Sequence, residues 1–287
     1  MHLDSQGAVS IVELIVYFPA ITASAIICSR HGFTRSSGWV YTFILCLVRI
    51  LGAICQLVTY SDHSSGLIKA VIIIDSIGIS PLLLATLGML SRLVDWINAG
   101  SQGFFSAMHF RLIQIVISVG LILSIVGGTN LNTNSDGSVK IGTESKVGII
   151  LYIVAFVACI VVCLLSLPQL SWVPKEERKI SIAVLLAFPF IGIRLLYSVL
   201  AVFLHNHNFS IYNGSVGVHV GMAVVEEFIV VFIYIFLGFK LSKLALSEQG
   251  PIVSRVKGNK GSSGHKHHRR HSRQAYDLPS TTQQSQV

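Results

Sequence analysis

Seven long apolar segments, separated by short polar connections, dominate the pattern of this chain. They cover about residues 8–28, 38–60, 67–90, 110–127, 147–167, 180–204 and 217–239. Each is close to the ~20 residues that a helix needs to cross a bilayer. Backbone amides in hydrocarbon must be hydrogen-bonded internally, and these segments do not alternate polar and apolar residues as barrel strands do. The pattern therefore predicts an all-α bundle of seven transmembrane helices.

The distribution of Lys and Arg predicts the orientation of the bundle. The connections and tail on the C-terminal side carry sixteen Lys and Arg residues, whereas the opposite side carries only Lys69, Lys140 and Lys146. Cytoplasmic loops are enriched in Lys and Arg, so we expect the N-terminus outside and the C-terminus in the cytosol. The chain then divides into an outer segment 1–7, a membrane domain 8–240 and a disordered basic cytosolic tail 241–287.

Composition agrees with a membrane protein, since only 12% of the residues are charged, about half the usual fraction in soluble domains. Nine of the 21 basic residues lie between Lys240 and Arg273. This concentration in one tail argues against a nucleic-acid partner and favours contact with anionic lipid. The cysteines show neither a disulfide framework nor zinc-ligand spacing, and we expect no metal and no cofactor. They are Cys28, Cys46, Cys55, Cys159 and Cys163.

Several local features suit this topology. Glycosylation sequons begin at Asn208 and Asn213, in a connection on the predicted lumenal side. Trp39 and Tyr41, at the inner end of the second segment, are predicted to anchor it at the membrane interface. The final residues Gln-Ser-Gln-Val are not a retention signal, so we expect the plasma membrane rather than an internal membrane.

Charged residues inside the apolar segments are the strongest functional signal. They are Glu13, Arg49, Asp75, Arg194, Glu226 and Glu227. Charges in hydrocarbon are costly and usually have a partner or a function. At ~1.5 Å per residue, Arg194 and the two glutamates all lie about 14–15 Å from the outer ends of their helices. Consecutive helices are usually neighbours, so we expect Arg194 to pair with Glu226 or Glu227.

A second pair is expected between Arg49 and Asp75, at depths of about 16 and 12 Å. An acid-bearing segment thus follows an Arg-bearing segment twice, which suggests a 3+1+3 arrangement of two helix triplets around a linker. Two arginines against four acids would leave two negative charges in low dielectric. Two alternatives follow: ion pairs that only hold the bundle together, or a proton, cation or polar-ligand site that opens outward.

A family resemblance is carried by motifs along the membrane region. They are Glu13-Leu-x-x-Tyr17-x-Pro19, Arg30-His31-Gly32-Phe33, Gly38-Trp39, Arg49, Gly78-x-Ser80-Pro81-Leu82-Leu83, Arg194-x-x-Tyr197 and Glu226. Over about residues 8–240 the chain resembles a family of fungal integral membrane proteins defined by a domain of unknown function. The resemblance implies seven helices and a fungal source, and it implies no substrate or catalytic residue. A looser likeness, in topology and charge distribution, is to fungal lipid-translocating exporter-type proteins.

Two classes of function fit these features. The charged layer and the two triplets favour a transporter or lipid exporter. The alternative is a seven-helix sensor or receptor, which the expected topology also fits. A rhodopsin-like receptor is disfavoured because Ser91-Arg92-Leu93 is no Asp-Arg-Tyr motif.

Catalysis is not expected. His205, His207 and His219 lack the His-x-x-x-His spacing of zinc-dependent seven-helix hydrolases. We therefore expect a protein that is not an enzyme and whose partners are membrane lipids and a small polar or lipid ligand.

Overall fold

The computed structural model describes residues 5–31, 37–61, 64–100, 105–129, 132–133, 139–140, 142–203, 217 and 220–241. The chain divides into two units, Met1–Val256 and Lys257–Val287, and all the described residues belong to the first. The predicted sequons at Asn208 and Asn213 and the basic tail after residue 241 lie outside the described residues.

Eight α-helices make up nearly all of the described chain. They are α1 Ser5–His31, α2 Ser37–Val58, α3 Ser65–Ile77, α4 Ile79–Gly100, α5 Ala107–Thr129, α6 Thr143–Ser166, α7 Arg178–Phe203 and α8 Val225–Lys240. A 3₁₀ turn, Leu167–Trp172, follows α6, and a π-helical turn, Val220–Val224, precedes α8. Two short strands between α5 and α6, β1 Asn132–Thr133 and β2 Val139–Lys140, pair antiparallel.

Within the part of the chain that the structure describes, seven helical spans are long and apolar enough to cross a membrane. The eight helices give seven spans because α3 and α4 together form the third one. This confirms the all-α fold with seven membrane-length helices. The third span covers Lys69–Ala99 and so extends beyond the predicted end at residue 90. Arg92, which the sequence assigned to a connection, therefore lies inside α4.

The third span is interrupted at Gly78, between α3 and α4. Pro81 explains the position of this break, because proline has no amide hydrogen and its ring collides with the carbonyl four residues earlier. That carbonyl belongs to Ile77, and the Ser80 hydroxyl donates a hydrogen bond to it at 3.2 Å. A side chain thus replaces the missing backbone bond, which allows an interrupted helix at membrane depth.

The bundle is apolar outside and partly polar inside. Large hydrophobic side chains such as Phe18, Met108 and Phe236 are more than half exposed. The buried face of α1 instead carries residues at three- or four-residue spacing, among them Ser10, Glu13, Tyr17, Ser24 and His31. This distribution suits helices surrounded by lipid, where polar side chains face the bundle interior.

The two ends of the bundle are defined by contacts between helix termini. Gln56, near the end of α2, donates to Gln6, near the start of α1, at 3.5 Å. At the other end His31 of α1 hydrogen-bonds the Gly238 carbonyl of α8 at 3.1 Å. We call the end with the start of α1 the N-terminal face and the end with the last turn of α8 the C-terminal face.

Candidate functional site

Four charged side chains from four helices meet inside the bundle, and we call them the quartet. They are Arg49 of α2, Asp75 of α3, Arg194 of α7 and Glu227 of α8. Arg49 binds Glu227 through two parallel hydrogen bonds, Nε to Oε2 and Nη2 to Oε1, each 2.5 Å long. Arg194 Nε donates to Glu227 Oε1 at 2.8 Å. Glu227 therefore bridges both arginines.

Asp75 completes the quartet at the end of α3. Its Oδ1 accepts a hydrogen bond from Arg49 Nη1 at 2.8 Å and lies 3.7 Å from Arg194 Nη2. Arg194 Nη2 also donates to the Asp75 backbone carbonyl at 2.9 Å. Carbonyls in the last turn of a helix lack intrahelical partners and carry partial negative charge. The break after α3 therefore supplies an additional acceptor for a buried cation.

Two positive and two negative side chains make the quartet electrically neutral. Three members are nearly inaccessible, with side-chain exposures of 5% for Arg49, 2% for Arg194 and 0% for Glu227. Asp75 is the exception at 22%. Charges in such an environment persist only when they are paired and hydrogen-bonded, which is the case for each of these four.

The sequence predicted two separate ion pairs, and the structure instead joins them into one cluster. Arg49 and Arg194, on two different helices, both bind Glu227, whereas each expected pair joined one arginine to an acid of its own. Gly78 makes this approach possible: a Cβ there would lie 2.8 Å from Arg49 Nη2 and 2.9 Å from Glu227 Oε1. The glycine at the break thus provides the space in which the quartet forms.

The two other predicted acids lie beside the quartet. Glu226 is buried and close enough to Arg194 to interact electrostatically, but its Oε2 has no hydrogen-bond partner among the described residues. Glu13 is also buried and interacts electrostatically with Arg49. Tyr17, one turn from Glu13 on α1, donates its hydroxyl to Glu227 Oε2 at 3.5 Å. Both acids therefore contribute to the field around the quartet.

A cavity of about 50 Å³ lies between α3, α5, α6 and α7, on the N-terminal side of the quartet. Asp75 and Arg194 form part of its wall. Its other polar lining residues carry hydroxyl groups: Ser76, Ser124, Ser145, Tyr152, Tyr197 and Ser198. Tyr152 is 1% exposed, and its hydroxyl lies near Ser80 and Ser124 without forming a hydrogen bond of normal geometry to any described residue.

A second buried ion pair lies toward the C-terminal face. Arg92 of α4 holds Glu177, which precedes α7, through two hydrogen bonds, Nη2 to Oε1 and Nε to Oε2, the second 2.8 Å long. The Arg92 guanidinium carbon lies 5.4 Å from the ring centre of Trp39. Trp39 in turn stacks on His31, with ring centres 4.7 Å apart.

Trp39 is not the lipid-interface anchor that the sequence predicted. Its side chain is buried, and Nε1 donates to the Tyr234 carbonyl of α8 at 3.1 Å. Gly238 of α8 leaves room for the indole inside the bundle, because a Cβ there would lie 2.7 Å from Trp39 Nε1. The prediction was wrong because position along a helix does not show which side faces lipid.

Sequence reasoning missed the Arg92–Glu177 pair. An available signal was the apolar pattern that continues past residue 90 and includes Arg92 and Asp95 in one helix. Glu177 gave no signal, because it stands in the charged run Lys175-Glu176-Glu177-Arg178. No group of three His, Cys, Asp or Glu side chains within the described ranges is placed to hold a metal ion.

Comparison with known proteins gives one family. A family model described as a domain of unknown function, DUF7702, matches residues 3–244. The search of curated proteins gave no match. The matched range includes the quartet, the cavity and the Arg92–Glu177 pair.

Proposed function

We propose a function from the geometry of this chain itself, because the chain belongs to the DUF7702 family, which is described only as a domain of unknown function. The function is transport: a small polar solute enters the cavity, and rearrangement of the quartet allows it to pass. The observation that carries this proposal is the position of Asp75. It belongs both to the sealed quartet and to the cavity wall, and it is the most exposed of the four members.

The arrangement of the two ion-pair clusters supports transport by alternating access. The cavity lies on the N-terminal side of the quartet, and the Arg92–Glu177 pair with Trp39 packs the C-terminal side. Transporters of this kind place their site near the middle of the membrane, beside interrupted helices. The break at Gly78 and the π-helical turn before α8 are two such interruptions next to the quartet.

Charge balance supports a proton as the coupling ion. The quartet is neutral without Glu226, so an ionised Glu226 would add an uncompensated negative charge to the bundle interior. A proton bound to Glu226 avoids this cost, and its release would add a negative charge that changes the field at Arg194, which interacts with Glu226. Glu226 is therefore the proposed proton-carrying group.

The experiment uses the full chain in liposomes that contain a pH-sensitive dye. Mixtures of uncharged, cationic and anionic small solutes are added under an imposed pH gradient. We expect at least one mixture to change the rate of proton movement, and the change to be lost in Glu226→Gln. Glu176→Gln is the control, because Glu176 is an exposed residue outside the bundle core. Proton movement that no mixture alters, in folded protein, would contradict transport.

The orientation and location of the protein form part of this proposal. The Lys and Arg asymmetry supports an N-terminus outside and a cytosolic C-terminus, with the basic tail against anionic lipid. We extend the proposal to the plasma membrane, to a fungal source and to a non-enzymatic role. Glycosylation at Asn208 or Asn213, read as a mass shift that a glycosidase removes, would place that connection on the outer side.

The second candidate is a sensor or receptor, which a specific feature favours. Three members of the quartet are at most 5% exposed, so a ligand in the cavity would meet the cluster at its edge, where Asp75 and Arg194 form part of the wall. Such a ligand would change the contact between Asp75 of α3 and Arg194 of α7 without crossing the membrane. Binding that stabilises the protein, without any flux of the ligand, would favour this second function.

A further inference from the structure

We propose that the cavity between α3, α5, α6 and α7 is a binding site for a small uncharged solute that both donates and accepts hydrogen bonds. This deepens the proposed function and rests on it, because it names the class of solute that the same cavity would carry. Three properties of the cavity lead to this class: its volume, the charge of its wall and the hydrogen-bonding state of its hydroxyl groups.

The volume limits the size of the solute. A cavity of about 50 Å³ has room for about four water molecules by the same measure. A molecule with a few non-hydrogen atoms fits this space, whereas a lipid chain or headgroup does not. The remaining wall is apolar, with residues such as Ile72, Ile149 and Val202.

The charge of the wall selects against ions. Among the described lining residues, Asp75 and Arg194 are the charged ones, and both are already neutralised within the quartet. An anion or cation in the cavity would have no counter-charge of its own, and an unpaired charge in a low-dielectric site is costly. An uncharged solute avoids this cost.

The hydroxyl groups require both donors and acceptors from the solute. Ser76 already donates to the Ile72 carbonyl at 2.9 Å, so its oxygen is available as an acceptor. Ser198 donates to the Arg194 carbonyl at 3.4 Å and accepts from Arg194 Nη1 at 3.0 Å, which leaves its oxygen one further acceptor position. The buried Tyr152 hydroxyl lies near Ser80 and Ser124 but forms no hydrogen bond of normal geometry with a described residue, so a solute can accept its hydrogen. A solute with an N–H or O–H and a carbonyl or hydroxyl oxygen satisfies both sides.

The test compares four probes of almost equal shape: acetamide, acetate, acetamidinium and acetone. Acetamide is neutral with a donor and an acceptor, acetate and acetamidinium carry one charge, and acetone lacks a donor. Binding to the full chain in detergent is measured by saturation-transfer NMR, which detects weak ligands. We expect acetamide to bind more tightly than the other three, and Tyr152→Phe to weaken acetamide about fivefold, the loss of one hydrogen bond.

Tyr234→Phe is the matched control. Tyr234 is a buried tyrosine that hydrogen-bonds Thr86 at 2.7 Å and lies outside the cavity, so acetamide binding should not change. If Tyr152→Phe fails to fold, Ala201→Leu fills the cavity from its wall and should abolish binding. Equal or tighter binding of either ion or of acetone, or binding unaffected by these cavity variants, overturns the inference.

The same experiment separates this inference from the proposed transport function. Selective acetamide binding, together with proton movement in liposomes that no solute alters, supports the site and contradicts transport. Flux of a charged solute with no acetamide binding supports transport and overturns the site.

Discussion

Arg49 binds both carboxylate oxygens of Glu227, although 178 positions separate the two residues in the chain. Parallel hydrogen bonds of this kind between arginine and a carboxylate are strong and fix the relative orientation of both side chains. The pair connects α2 to α8, and Arg194 connects the same carboxylate to α7. Glu227 thus sets the relative position of three helices, and a change in its pairing changes all three.

Removal of one charge from the Arg49–Glu227 pair should destabilise the protein strongly. Arg49→Leu leaves Glu227 and Asp75 opposite Arg194 alone, and Glu227→Leu leaves an excess positive charge. We expect each variant to lose about 3–5 kcal/mol of the free energy of unfolding. The double variant should recover much of this, because Arg194 and Asp75 remain as a neutral pair. Denaturant unfolding in mild detergent measures all three.

Arg30→Leu is the control for this series. Arg30 is exposed and, among the described residues, makes one long hydrogen bond, 3.4 Å, to the Phe239 carbonyl, so the change should stay within about 0.5 kcal/mol. If the double variant is destabilised by the sum of the two single effects, the Arg49–Glu227 pair is not the source of the lost stability.

Gly78→Ala should disrupt the quartet through a single added methyl group. The new Cβ would lie within 3.0 Å of Arg49 Nη2 and Glu227 Oε1, closer than van der Waals contact allows. We expect a lower thermal unfolding midpoint and a loss of folded yield. Gly66→Ala, in the adjoining helix α3, should be neutral or slightly stabilising, because nothing lies within 4 Å of its Cβ and alanine favours helix. Equal effects of the two substitutions would contradict the role of Gly78.

The elements that the sequence predicted are those with a local signal. Length and hydropathy identify the spans, and a charged residue inside a span is visible directly in the sequence. The distance of each residue from its helix end also placed Arg194 at the same depth as the acids of α8. It could not distinguish Glu226 from Glu227, because adjacent helical residues point about 100° apart. The choice depends on the rotation of α8, which follows the π-helical turn Val220–Val224 and its packing against α7. Tertiary packing, which leaves no local pattern, decides it.

Glu177→Gln should destabilise the protein far more than Glu176→Gln, although the two residues are adjacent. Glu177 is buried with Arg92, whereas Glu176 pairs with Lys179 and the side chains are 62% and 43% exposed. Removal of one partner of a buried pair costs about 3–5 kcal/mol, and exposed pairs contribute at most about 1 kcal/mol. Chemical unfolding of both variants in the same detergent compares their losses in the free energy of unfolding. Similar losses would show that the Arg92–Glu177 pair is not effectively buried.

Native cysteines report whether the Arg92–Glu177 pair keeps the C-terminal face closed. Cys28 lies one turn before His31 on the buried face of α1, and Cys163 is buried near the end of α6, whereas Cys55 is partly exposed. In Cys55→Ser we expect almost no reaction with a membrane-permeant maleimide. The further change Glu177→Gln should loosen the packing around Trp39 and His31 and raise labelling of Cys28 or Cys163, read by mass spectrometry. Glu176→Gln in the same background should leave labelling unchanged. If Glu177→Gln lowers stability without exposing either cysteine, the pair supports the fold but does not close this face.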